Sequence, residues 1–372
     1  MVTPGQITRY RVARDDDREG WDTLVRNLAK KRVYNTPFVW KDIVEKHSGC
    51  ESLFIVAERD GRIVGVFPGF LKNTLPARLS RRLPFIARRF RRWIGHEPSA
   101  WDYNGPLVEG DDGETIGGLI SCMERHARER GAVDAVIMPY MGNRFVEELA
   151  AQLLERRGWR KCGHSLSQTF DLTRSENEIW QDIGKNHHWS LKRFDDRGFG
   201  FAEELLDDSA ALLYICLDET ERRAELKRSE RFALPTISFL RDLLDCDVAK
   251  IFAVRKDGII YAMALDTYLE TLVCYKWGGS MHTPKGVSLD AGSVYHNMIT
   301  HKRNGFTRYD NCWLPPSRVG PLYQFKARFG GEVRVIPQYR KMLSPKRIYL
   351  GIVSRTLAFQ KLAPSVFARL GE

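Results

Sequence analysis

Two stretches of this 372-residue chain spell one hairpin twice. LFIVAERDGRIVGVFPGFL (53–71) and IFAVRKDGIIYAMALDTYL (251–269) each run an apolar strand into an Asp-Gly turn, Asp60-Gly61 or Asp257-Gly258, and then into a second alternating strand. Asp-Gly suits a two-residue turn because both positions need positive φ, which Gly adopts freely and Asp tolerates. The likeness continues downstream. ISCMERHARERG (120–131) predicts a helix closed by Gly131 before the strand AVDAVIMP (132–139), and SVYHNMITHKRNG (293–305) predicts a helix closed by Gly305 before FTRYDNCW (306–313). NRFVEELAAQLLERRGWRKCG (143–163) and PLYQFKARFGGEVRVIP (321–337) both read helix, glycine stop, strand. Each copy therefore predicts helix, antiparallel hairpin, further strand, helix, strand, helix, strand. That order is an α/β arrangement, a mixed twisted sheet with helices on both faces. The boundary falls near residue 170, giving domains 1–170 and 171–345 and a tail at 346–372. Past it, Thr173 or Ser175 can cap a new helix, with Glu176 and Glu178 in the first turn.

Aligning Gly158 with Gly330 sets Leu154 opposite Lys326. In LYQFKARFGG (322–331), Leu322, Phe325 and Phe329 form an apolar helical stripe, and Lys326 projects from it. A lysine there can snorkel to water. The first copy shows that the slot takes hydrocarbon, so a charge in the second calls for a compensating anion or a function.

The totals exclude some classes. No apolar run approaches the roughly 18 residues of a membrane span, and the amino terminus lacks the apolar core of a signal peptide, which predicts a cytoplasmic protein. Seven scattered cysteines, with no CxxC pair or zinc-type spacing, predict reduced thiols and no metal. Lys and Arg number 58 against 47 acids, a formal charge of +11 that favours anionic partners. Much of the excess sits in ARLSRRLPFIARRFRRWIG (77–95), which reads either as a solvated loop and short helix or as an element facing a polyanionic surface. The tail PKRIYLGIVSRTLAFQKLAPSVFARLG (345–371) reads as a helix capping the second sheet or as a peripheral contact with an anionic inner membrane.

The doubled unit, the segment IWQDIGKNHHWSLKRFDDRG, the strand YKWGGS and the closing LYQFKARFGG resemble the FemAB-like branch of the GNAT acyltransferase superfamily, which includes BioF2-like and CelD-like domains. The resemblance spans roughly residues 20–345. It implies two tandem GNAT-like domains and amide formation by transfer of an amino acid from aminoacyl-tRNA, a co-substrate rather than a tightly bound cofactor, to an amine such as that of a cell-envelope precursor. The alternatives are an acyl-CoA N-acyltransferase and a GNAT-fold binding module without catalysis. The closing signature falls on Phe325-Lys326, Phe329 and Gly330, and implies that Lys326 sits by the reacting carbonyl or a donor phosphate. Tyr275 and Trp277 lie in the strand similar to the family's aromatic strand. Asn104-Gly105-Pro106 is similar to an acceptor-side turn, with Tyr103 and Glu109 as acceptor-binding candidates. Two departures stand out. His188 occupies a position where relatives carry arginine, and no Gly-x-Gly loop of the kind that cradles the pyrophosphate of coenzyme A is present; MHTPKGVSLDAGS (281–293) has glycines at other intervals.

Amide formation needs an uncharged amine, a polarised carbonyl and a site for negative charge on oxygen. Lys326 can supply the last, and backbone amides of YKWGGS can share the task if its glycines splay that strand from its neighbour. Asp310 in TRYDNCWLPP is the candidate base, or else an Asx turn before the diproline; Tyr309 alternates to the opposite face. A helix over 179–194 puts Ile179, Trp180, Ile183, His187, Leu191 and Phe194 on a buried face, making His187 a core residue. Lys185, Trp189, Lys192 and Arg193 spread over the other face, with His188 at its border. That side is either a solvated helix face or a site for the phosphates of tRNA or another phosphorylated donor.

Overall fold

The structure is a computed structural model, described here over residues 7–29, 37–73, 91–94, 105–139, 144–223, 235–281, 284–314 and 321–345. Along the chain these comprise β1 (Arg9–Val12), α1 (Arg18–Ala29), α2 (Val39–Ser48), β2 (Glu51–Ser52), β3 (Ile55–Arg59), β4 (Arg62–Phe67), β5 (Phe70–Asn73), β6 (Arg91–Ile94), β7 (Leu107–Val108), α3 (Gly113–Glu129), β8 (Ala132–Ile137), α4 (Arg144–Arg156) and β9 (Arg160–Asp171). The second copy follows with α5 (Glu176–Asp182), α6 (Lys185–Asp196), β10 (Gly200–Glu203), α7 (Ser209–Arg223), α8 (Ile237–Asp245), β11 (Ala249–Lys256), β12 (Ile259–Leu269), β13 (Leu272–Ser280), α9 (Leu289–Arg303), β14 (Arg308–Leu314), α10 (Pro321–Ala327) and β15 (Glu332–Met342).

Both Asp-Gly turns form as read. Asp60 and Gly61 adopt φ 51° and 74°, and Asp257 and Gly258 adopt 50° and 77°, so each turn's twist matches that of its strands. The copies then diverge. β3 and β4 belong to a four-stranded sheet, β1-β3-β4-β7, whereas β11 and β12 join an eleven-stranded one in the order β10-β11-β12-β13-β14-β9-β15-β8-β6-β5-β2. The expected single sheet of the first copy is thus broken between β4 and β5. Pro68 lies at the break and offers no N–H to a ladder, and the Trp93 indole lies directly over Gly69. Arg91–Ile94, inside the arginine-rich segment, is strand β6 rather than loop or helix; Trp93 and Ile94 are buried, and Arg92 pairs with buried Asp134 at 2.9 Å. Residues 77–90 and 95 and the tail 346–372 lie outside the described residues.

The large sheet runs straight across the expected boundary by exchanging last strands. β9, which closes the first copy, pairs antiparallel with β14 of the second; β15, which closes the second, pairs antiparallel with β8 of the first; β9 and β15 pair with each other. Cores follow the same rule. One buried cluster joins Trp40 and Phe54 of the first copy to Phe239, Leu243 and Met263 of the second. Two neighbouring halves sharing one sheet bury the edges that each would otherwise expose.

Ser175, not Thr173, caps α5, in a reciprocal capping box with Glu178. The helix expected over 179–194 is broken in two. Ile183 and Gly184 take extended backbone (ψ 135° and 147°), and the Gly184 N–H donates to the Arg328 carbonyl at 2.7 Å. A hydrogen bond from the far end of the chain therefore overrides the local helical pattern. The face assignment holds for Ile179, Ile183, His187, Leu191 and Phe194, which are buried, while Trp180 is only half-buried.

Candidate functional site: a fork between two parallel strands

β13 and β14 are parallel neighbours over only three residue pairs, Leu272 with Arg308, Val273 with Tyr309 and Cys274 with Asp310. Beyond them the strands part. β13 stays on β12 through Ser280, and β14 stays on β9 through Leu314. Each arm carries an irregularity at the parting point. On β13 the register slips so that Leu265 faces Trp277 and Asp266 faces Tyr275, leaving Lys276 as the bulged residue. On β14 the pairing jumps from Asp310–Thr169 to Trp313–Ser167, and Cys312 takes φ 54°, a left-handed conformation costing a non-glycine residue roughly 1 kcal/mol or more.

The splay expected of YKWGGS is present, but its glycines do not cause it. Gly278 and Gly279 remain paired with Ala264 and Met263. A Cβ on Gly279 would stand 2.5 Å from the Cys216 carbonyl oxygen of α7, so this glycine lets a helix backbone approach the strand; Gly278 lies beneath the Tyr275 hydroxyl. Regular alternation would put Tyr275 and Trp277 on one face. The Lys276 bulge separates them instead, Tyr275 joining the cluster of Val273 and Tyr309 and Trp277 the cluster of Trp40 and Phe239. Lys276 itself lies over the Trp40 ring, 5.2 Å from its centroid, with its ammonium buried.

Lys326 and Asp310 both lie by the parting point, near enough for each charge to act on the other. The Lys326 Nζ donates to the Asn311 carbonyl at 2.5 Å. Enclosure lowers its pKa to about 8, with Cys312 and Asp310 pulling the other way. Asp310 is 4% exposed; burial pushes its carboxyl up to about 6, while hydrogen bonds from the Cys312 N–H (2.7 Å) and the Ser167 hydroxyl (3.1 Å), and the charges of Lys326 and Lys276, oppose the rise. In the first copy the matching Leu154 is fully buried among hydrocarbon, as the alignment requires.

Three residues with no part in the sequence-based site hold this geometry. Fully buried Gln168 on β9 donates to the carbonyls of Lys326 (2.9 Å) and Gly330 (2.6 Å) and accepts from the Asn311 side-chain amide (3.0 Å), tying α10 to the β14 bulge. Ser167, next to it, turns to Asp310 on the other side of the strand. Asn311 is itself fully buried, and its Oδ1 meets no protein donor. A signal for this network existed in SLSQTF, whose paired polar residues are unusual in a strand between two others. The Gly330-Gly331 stop is equally tight, both residues having positive φ and a Cβ on Gly330 meeting Asp182 at 2.7 Å.

Phe325 is half-buried against His187 (5.3 Å) and Phe329 (5.4 Å), whereas Leu322, expected on the same stripe, is exposed. His187 is a core residue as read: its Nε2 donates to the Phe325 carbonyl at 3.0 Å, and burial lowers its pKa, favouring the neutral ring. His188 turns inward, stacked on Trp180 (4.4 Å) and donating to the Trp180 carbonyl at 2.7 Å. Lys192 is exposed, and the Arg193 guanidinium lies 3.8 Å over the exposed Trp189 ring. Glu109 is on the surface and pairs with Arg62 of the first hairpin at 2.7 Å. Tyr103 lies outside the described residues. No group of His, Cys, Asp and Glu able to hold a metal occurs among the described residues, and no helix there is long and apolar enough to cross a membrane.

No family model matches the chain, and no curated protein matches it by sequence. Solved structures do match. FemX aligns over 92% of this chain and 99% of its own at 13% identity with a TM-score of 0.68. L-PGS from Bacillus licheniformis aligns over 94% and 99% at 14% identity with a TM-score of 0.55. A tandem GNAT protein from the clavulanic acid biosynthesis pathway aligns over 91% and 99% at 12% identity with a TM-score of 0.53. The resemblance read from YKWGGS and LYQFKARFGG therefore holds at the level of architecture: across nearly its whole length the chain has the tandem GNAT fold shared by FemX and L-PGS.

Proposed function

We propose that the chain is an acyltransferase that forms an amide at the β13/β14 fork, moving an aminoacyl group from aminoacyl-tRNA to an amine acceptor such as that of a cell-envelope precursor. The observation that carries this reading is the enclosed Lys326 ammonium beside the buried Asp310 carboxyl, where two strands part. The acceptor amine attacks the ester carbonyl, and its C–N bond forms as Lys326 steadies the charge on the tetrahedral oxygen. Asp310, ionised above about pH 6, takes the proton the amine sheds and returns it to the ribose hydroxyl as the C–O bond breaks. Asn311 Oδ1, a buried acceptor without a protein donor, suits an N–H of the incoming amine.

The choice of donor rests on the start of α9, where GNAT enzymes ordinarily cradle the pyrophosphate of coenzyme A. Here several of the amides are already used. Val287 N–H donates to the Pro284 carbonyl (3.2 Å), Ser288 N–H to Ser190 Oγ (2.7 Å), Ala291 N–H to Ser288 Oγ (3.2 Å) and Gly292 N–H to the Ser288 carbonyl (3.1 Å). Asp290 adds a carboxyl to the first turn, bonded to Ser280. A diphosphate fits this end poorly. An RNA strand instead suits the Trp189, Lys192 and Arg193 face of α6.

The test is transfer of a radiolabelled amino acid from charged tRNA to a supplied amine, abolished by ribonuclease. Release of free coenzyme A thiol from an acyl-CoA would move the donor to a thioester. No transfer from either donor would contradict the enzymatic reading and leave a binding module.

A further inference from the structure

Six polar atoms on five buried side chains meet no hydrogen-bond partner in the protein: Ser293 Oγ, Asn297 Oδ1 and Nδ2, His301 Nδ1, Asp266 Oδ1 and the Tyr309 hydroxyl. None of the five residues is more than 3% exposed. They form one seam. Ser293, Asn297 and His301 recur every fourth residue along α9 and so share one face. His301 Nε2 lies 2.8 Å from Asp266 Oδ2 on β12, and its ring is 6.3 Å from that of Tyr309 on β14.

Buried donors and acceptors in folded proteins are rarely left unpaired. Whatever completes this set must both donate and accept, because Asn297 Nδ2 only donates while Asn297 Oδ1 only accepts. A bare cation could satisfy the oxygens but not Nδ2. Side chains four apart on a helix face stand about 6 Å from one another. One water bonded to both neighbours at about 2.8 Å each bridges that gap. We infer that α9 and the sheet enclose a file of internal water molecules, running from Ser293 past Asn297 to the His301–Asp266 pair and the Tyr309 hydroxyl. The file anchors β14 at Tyr309, one residue before Asp310 and the fork. It stands independently of the acyl-transfer reading.

A high-resolution crystal structure tests it. The expected result is ordered water within hydrogen-bond reach of both amide atoms of Asn297 and of His301 Nδ1. A dry seam, a metal ion in it, or rotamers that pair these atoms with one another would overturn the inference. In solution, water-oxygen relaxation dispersion counts long-lived waters. The count should fall in Asn297→Leu, or in Ser293→Ala at the end of the file if the leucine variant does not fold. An unchanged count in a folded variant would overturn it equally.

Discussion

Lys326 on α10 places its ammonium 2.5 Å from the carbonyl oxygen of Asn311, the residue at which the register of β14 with β9 breaks, just past the last pair of β14 with β13. A cation is thereby held at the point where the sheet opens, close enough to Asp310 for each charge to shift the other's titration. The two shifts run in opposite directions from their usual values and leave a window in which one group is negative and the other positive.

That window predicts the pH dependence of transfer. The working form has Asp310 ionised and Lys326 protonated, so kcat/KM should rise through about 6 and fall above about 8. Asp310→Asn should remove the acid limb together with most of the rate.

The same burial predicts that function is held against stability. Asp310 has a raised pKa in the folded protein, so the fold binds its proton more tightly than the unfolded chain does. Folding therefore carries no penalty from this group at low pH, and a full one above about 6. Asp310→Asn keeps an oxygen that can accept from Cys312 and Ser167, and should stabilise the protein by about 1–3 kcal/mol at pH 7.5. Urea denaturation should show that gain vanishing near pH 4.

Gly279 offers a packing test away from the fork's charges. Gly279→Ala puts a methyl 2.5 Å from the Cys216 carbonyl, and backbone there cannot yield as a flexible side chain would. A loss of about 1–3 kcal/mol in chemical denaturation is expected, with α7 displaced.

The exchange of β9 and β15 predicts that neither half folds alone. A chain cut between Asp171 and Ser175 separates β9 from its partners β14 and β15, and leaves β8 without β15. Each fragment should lack dispersed amide signals, and coexpression should restore one complex of native spectrum.

Features written in local pattern were legible in the sequence: the Asp-Gly turns, the glycine stops, the Ser175 cap and the core position of His187. Lys326 stood out because its twin position holds Leu154. Features set by distant partners were not legible. Gly184 breaks a helical pattern because Arg328, far along the chain, accepts its N–H. The bulges at Lys276 and Asn311–Cys312 exist only relative to the opposite strands. The strand exchange leaves each strand's alternation unchanged, so no pattern of apolar residues could reveal it.

The most direct measurement compares Lys326→Met with the parent chain in aminoacyl transfer to an amine, normalised to folded protein. With the cation at the reacting oxygen, turnover should drop by about two to three powers of ten while the circular dichroism spectrum is unchanged. Equal turnover in the two proteins would contradict a role for Lys326 in the chemistry.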